Sequence, residues 1–157
     1  MPVYDAEFRD PSGRAAPQGL AQFGPVMPVE IDIPTALSSF LTAAGQPIPT
    51  PASGAALIDT GATGSCVDNQ IMSALGVHPI GIRSLGTATG RSRHYLYPAK
   101  FRFPQIRFEV DFSAVVGVDL RGQGVGRQRI IALIGRDLLS RCILIYGGTT
   151  GKFSLAF

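Results

Sequence analysis

The chain has 157 residues, 45% of them hydrophobic and 16% charged. That composition excludes a disordered chain and fits one domain burying about 70% of its unfolded surface. The net charge of +3 is carried by short clusters, Arg83, Arg91 and Arg93, then Arg121, Arg127 and Arg129. They read as a solvated loop face, since no aromatic ladder or nucleic-acid motif accompanies them. Nineteen Gly and twelve Pro, with no long periodic helix, point to many short strands and turns.

Residues 1–24 are rich in Pro, Gly, Ala and Gln over their second half and read as a flexible N-terminal arm. The rest, 25–157, reads as one domain. Asp5, Glu7 and Asp10 make the wrong start for an export signal, and the longest apolar runs are too short to cross a bilayer. A soluble, cytoplasmic chain is expected. From Met27 to Ile33 apolar and polar residues alternate. This predicts a half-buried strand with Val29, Ile31 and Ile33 inward and Glu30 and Asp32 outward. Leu37, Phe40, Leu41 and Ala44 fall at helical spacing between a possible cap at Thr35 and a stop at Gly45. Pro47, Pro49 and Pro51 force an extended loop.

Ala55 to Ile58 reads as a buried strand that delivers Asp59 to the mouth of a tight turn, followed at once by Thr60 and Gly61. An acid in that place needs a partner, because burying an unpaired charge costs several kcal/mol. Asp68 is suited to cap a short helix over 69–75 that ends at Gly76. Strands are predicted over 80–86 and 92–103, with the tip Thr87, Ala88, Thr89 and Gly90 between them. Further strands are predicted over 106–112 and 114–118, then a Gly/Arg loop over 120–128. A continuous apolar strand follows from Ile130 to Ile134, then a short helix over 137–141. The last strands run over 143–146 and 153–157.

Few residues offer other chemistry. Cys66 and Cys142 lie on separate apolar segments without metal-ligand spacing and read as two reduced, buried thiols. His78 and His94 are too isolated for zinc, and no Ser or Cys nucleophile motif appears. No metal or cofactor is expected. Asp32, Asp111 and Asp119 read as solvent-facing acids, and Tyr95 and Tyr97 as strand-packing residues.

The segment Leu57-Ile58-Asp59-Thr60-Gly61-Ala62 resembles the active-site signature of retropepsins, the retroviral-type aspartic proteases. Ile130 to Leu139, with Leu133-Ile134-Gly135-Arg136-Asp137 at its centre, resembles the apolar strand, Gly, Arg and short helix that follow the active site in that family. The resemblance covers about residues 25–157. It implies an all-β acid-protease barrel with one or two short helices, active as a two-fold homodimer. It implies an aspartic endopeptidase in which two copies of Asp59 share a proton and activate water; a carboxylate pair of this kind is a standard example of like charges held too close to ionise together. Only one Asp-Thr-Gly is present, so the second carboxylate falls to a partner copy.

The remaining roles are implied by the same resemblance. Thr60 would bond across the dimer axis, and Gly61 would offer its carbonyl to the substrate. Ala62, Thr63 and the tip Thr87, Ala88, Thr89 and Gly90 would bind the peptide, the tip acting as a flap. Leu133, Ile134, Gly135, Arg136 and Asp137 would support the active-site strand, and the C-terminal strand 153–157 would take part in the dimer. Many retropepsins pair the arginine matched by Arg136 with an acid at the place of Thr63. Here Asp68 or Asp137 is expected to replace that acid. Two other classes compete: a non-catalytic peptide-binding module of the same fold, and an interaction domain using its basic loops on nucleic acid.

Overall fold

The computed structural model of the protein describes residues 1–87 and 90–157. Its frame is a closed barrel. Strands β2 (Val26–Asp32), β3 (Ala52–Ile58), β9 (Gln128–Ile134), β4 (Cys66–Asp68), β7 (Phe108–Val118) and β6 (Gly90–Phe103) follow one another by hydrogen bonding, and β2 pairs back onto β6. Closing the sheet leaves none of these six strands wholly without a neighbour on either side. Strand β5 (Gly81–Thr87) extends β6 outward as a hairpin, and β8 (Gly124–Val125) pairs with the start of β9. The expected all-β barrel is therefore present, with short helices only.

Alternation decides what fills the barrel. Met27, Val29 and Ile31 from β2, Phe101 and Phe103 from β6, and Ile131 and Ile134 from β9 are all 5% exposed or less, inside one continuous core. Strand β7 runs unbroken where the sequence suggested two strands over 106–112 and 114–118. The local irregularity is a bulge in its pairing with β6 between Tyr97 and Ala99. Pro98 sits there and has no N–H to give the ladder. Residues 104–106 form a 3-10 turn instead of the start of a strand.

The first 24 residues differ from the expected arm. Strand β1 (Val3–Glu7) pairs with β11 (Lys152–Ala156), and helix α1 (Pro17–Phe23) places Leu20 fully inside the core. The Phe8 and Phe23 rings stack at 6.3 Å, and the Tyr146 hydroxyl donates to the Leu20 carbonyl at 3.0 Å. Pro and Gly abundance marked the segment as loop, but three well-spaced apolar side chains suffice to anchor it. Strand β11 has β1 on one side and β10 (Ile143–Gly147) on the other. Both of its edges are thus filled within the chain.

Long-range polar contacts fix the helices. Helix α2 (Thr35–Ala43) receives the Asp111 carboxylate from β7 at its N-terminus, where Thr35 donates through its N–H at 2.9 Å and its hydroxyl at 2.7 Å. Burial would push the Asp111 carboxyl up, but these two bonds and the nearby Lys100 and Arg102 together hold it below its ordinary value. Asp111 is nonetheless exposed, as expected, whereas Asp32 is no solvent-facing acid. It is 4% exposed and pairs with Arg102 at 2.8 Å. Asp119 does lie at the surface, bound to Arg121.

Asp68 is the most deeply placed acid, at 0% exposure. One oxygen caps α3 (Asn69–Ala74) through the Gln70 N–H at 2.8 Å, and the other accepts from Arg129 at 2.6 Å. Arg129 is therefore a structural cation and not part of a free basic loop. Arg129→Met is expected to destabilise the fold by about 2–3 kcal/mol. That is somewhat below the usual cost of breaking a buried pair, because the half-exposed arginine site admits water. Urea denaturation of the two proteins measures it. A midpoint unchanged from wild type would mean the pair adds nothing.

Candidate active site

The Asp59 turn begins where β3 ends. Strand β3 lies parallel to β9, with Leu57 opposite Leu133 and Ile58 opposite Ile134. The pairing continues into the turn, where the Asp59 N–H donates to the Ile134 carbonyl at 2.9 Å and the Arg136 N–H to the Ala62 carbonyl at 3.0 Å. The two motifs that stood out in the sequence are thus one structure: an apolar parallel pair whose ends hold the turn between them. Leu133 and Ile134 lie beside Leu57 and Ile58 of β3, and Gly135 lies against Gly64 and Ser65 of the turn.

The Asp59 carboxylate is held on one side only. Its Oδ1 accepts the Gly61 N–H at 2.9 Å and the Ala62 N–H at 3.2 Å. Its Oδ2 has no hydrogen-bond partner among the described residues, and the residue is partly exposed. Gly61 is suited to this approach, since a Cβ there would stand 3.1 Å from Oδ1. Thr60 is exposed, and its hydroxyl makes no hydrogen bond among the described residues.

Arg136 resolves differently from either expected pairing. Its guanidinium donates to the Thr60 carbonyl at 2.7 Å and to the Thr63 hydroxyl at 3.1 Å. Neither Asp68 nor Asp137 is its partner. Asp68 is taken by Arg129, and Asp137 turns to Ser65. There Oδ2 accepts the Ser65 N–H at 2.9 Å, and Oδ1 accepts the Ser65 hydroxyl at 2.7 Å and the Leu138 N–H at 2.8 Å. Ser65 in turn receives the Gly135 N–H at 3.1 Å. A threonine hydroxyl and a backbone carbonyl are enough to place the arginine, so no acid is needed at position 63. Ser65, 2% exposed, is the support residue that sequence reasoning missed; it carried no motif of its own.

Gly135 makes this closure possible. A Cβ at that position would lie 2.4 Å from the Gly64 carbonyl carbon and 2.8 Å from the Ser65 nitrogen. Only a residue without a side chain lets β9 and the start of α4 (Arg136–Leu139) press on the turn this closely.

The turn forms one wall of a cleft of about 610 Å³. Gly61, Ala62, Thr63 and Gly64 line it on one side, and Arg83, Leu85 and Gly86 of β5 on the other. Ala62 and Thr63, for which peptide contact was expected, are among the residues that line the cleft. Of the expected flap tip, Thr87 and Gly90 form the last backbone pair of the β5–β6 hairpin; Ala88 and Thr89 lie outside the described residues. Arg83, counted from sequence among solvated arginines, is a cleft residue.

Cys66 lies at the bottom of the cleft, 8% exposed. Burial, then the negative charges of Asp137 and Asp59, push its thiol up to about 11. A thiol so placed stays protonated near neutral pH and is a poor nucleophile. Both cysteines are free. Among the described residues no group of His, Cys, Asp and Glu is placed to hold a metal ion, and no helix is long and apolar enough to cross a membrane.

Comparison with solved structures finds a likeness to the crystal structure of a retropepsin-like aspartic protease from Rickettsia conorii. The two are 15% identical, with 99% of this chain and 92% of that chain covered and a TM-score of 0.46. No family model matches the chain, and no curated protein does.

Proposed function

We propose that the protein is an aspartic endopeptidase whose water is activated by Asp59 carboxylates from two copies of the chain. The observation that carries this reading is the one-sided hold on Asp59, in the turn whose following residues Gly61 to Gly64 line the cleft. Two amides fix Oδ1 in place while Oδ2 is left for a proton, a water or a second carboxylate. An acid that served only to cap its own turn would account for Oδ1 and leave the cleft without a purpose.

The chemistry follows from proximity. Two carboxylates about 3 Å apart hold one proton between them, because both cannot ionise at that distance. The ionised member takes a proton from water as that water attacks the peptide carbonyl, and the protonated member donates a hydrogen bond to the carbonyl oxygen. Collapse of the tetrahedral species returns a proton to the leaving amine. The peptide lies extended between the turn and β5, held by main-chain hydrogen bonds in the manner of an added strand.

One carboxylate per chain requires the second copy to bring the other, related by a two-fold axis that passes near both Asp59 residues. The exposed Thr60 with its unused hydroxyl suits a contact across that axis. Strand β11 has no free edge, so contacts in the terminal region fall to the outer edges of β1 and β10 or to the sheet face bearing Val3, Ile143 and Ile145, each 49% exposed or more.

Digestion of a peptide library by wild type and by Asp59→Ala, with products read by mass spectrometry, tests the assignment. Cleavage by wild type alone is expected. Equal cleavage by both proteins would move the catalytic role to another residue. Binding of library peptides by wild type with no cleavage across acid and neutral pH would favour the non-catalytic peptide-binding module instead.

A further inference from the structure

We infer that Arg83 forms a subsite for an acidic side chain, so that the preferred substrates carry Asp or Glu beside the bond that is cut. The inference rests on the protease reading for its meaning, but its evidence is separate.

Strand alternation sorts the hairpin arginines. Arg83 and Leu85 point into the cleft, and Arg93, paired in register with Ser84, stands on the opposite face with Ile82 and Tyr95. Arg83 is exposed and forms no hydrogen bond or ion pair among the described residues. The other charged groups around the cleft are committed. Asp137 accepts three hydrogen bonds from Ser65 and Leu138, and Arg136 is bound to Thr60 and Thr63. Asp59 belongs to the reaction. The guanidinium of Arg83 is therefore a cleft cation whose five N–H donors are all unused among the described residues. A planar fork of this kind matches a carboxylate through two parallel bonds. The opposite wall offers the uncharged Ala62 and Gly64, and the Asp137 carboxylate that also lines the cleft is held by Ser65 and Leu138.

A half-open charge pair contributes up to about 1 kcal/mol, close to fivefold in affinity. The test compares wild type, Arg83→Gln and Arg83→Glu on one peptide library. In wild type, Asp and Glu are expected to be enriched about fivefold at one position flanking the cut. Arg83→Gln is expected to lose that enrichment, and Arg83→Glu to replace it with Lys and Arg. A second readout does not need hydrolysis: retention of Glu-bearing over Gln-bearing peptides by immobilised Asp59→Asn protein, with and without Arg83→Glu.

The two readouts separate the two ideas. Hydrolysis with the same residue profile in all three proteins overturns the subsite and leaves the protease. Glu-selective retention that Arg83→Glu abolishes, without hydrolysis by wild type, supports the subsite and overturns the protease. Neither hydrolysis nor selective retention overturns both.

Discussion

Adding about a threefold excess of Asp59→Asn chain to wild type is expected to lower the activity of the wild-type chains to about a quarter, because partners exchange at random in a two-fold dimer. Each wild-type chain then meets another wild-type chain about one time in four. A mixed pair has one carboxylate and one amide. The amide cannot take the proton from water, and it cannot share one with Asp59 opposite. Asp59→Asn by itself is expected to lose about 10²–10⁴-fold in rate, the usual worth of a positioned acid–base group. Its fold should persist, since an amide oxygen can still accept from Gly61 and Ala62, whose N–H groups bind Oδ1 in wild type. The titration asks more than the single variant does. If wild-type activity is indifferent to the added variant under conditions where subunits exchange, each chain carries its own complete site and the shared pair is wrong. Sedimentation of the active sample provides the parallel check, with a dimer expected at high micromolar concentration.

What the sequence revealed, and what it hid, divides along a physical line. Strand β3 and strand β9 were legible because runs such as Ala55–Ile58 and Ile130–Ile134 are apolar without interruption, which local pattern alone can report. So was helix α3, whose cap, Asp68, stands directly before it and does bond the Gln70 N–H. Side-chain partners were not legible. Asp111 finds Thr35 and Asp68 finds Arg129 at sequence separations of 76 and 61, and those meetings are set by the closure of the barrel. Arg136 illustrates the same limit within the site itself. An acid seemed necessary for it, and a hydroxyl and a carbonyl turned out to suffice, because the turn curls far enough to present the Thr60 oxygen. The N-terminal segment failed for another reason. Composition averaged over residues 9–24 conceals the single Leu20 that the core absorbs. In the cleft, the role of Arg83 depends on which way one strand faces, a matter of register that the surrounding arginines obscure.

Gly135→Ala is expected to destabilise the protein by about 3 kcal/mol, the upper part of the range for overpacking a fitted site. In a domain of this size that lowers the melting temperature by roughly 6–12 °C. Backbone conformation is not the cause, because Gly135 has φ −92° and ψ −178°, which alanine adopts freely. The cause is contact. The new methyl would meet the carbonyl carbon, carbonyl oxygen and nitrogen of residues 64 and 65 at 2.4, 2.5 and 2.8 Å. These are main-chain atoms and cannot rotate away. The turn must shift bodily, which strains the Gly135–Ser65 bond and the Arg136 contacts to Thr60 and Thr63 together. Activity should therefore fall with stability. Gly61→Ala gives the contrasting case. Its methyl would meet only the Asp59 Oδ1, at 3.1 Å, so the carboxylate should move by a few tenths of an ångström while the melting temperature stays nearly constant. Gly86→Ala, with nothing within 4 Å of the added carbon, serves as the control for substituting a cleft-lining glycine. Calorimetry on the three variants should rank them Gly135→Ala far below the other two. If Gly135→Ala melts with wild type, β9 is not pressed against the Asp59 turn in solution, and the frame that holds the carboxylate would have to be rebuilt on other contacts.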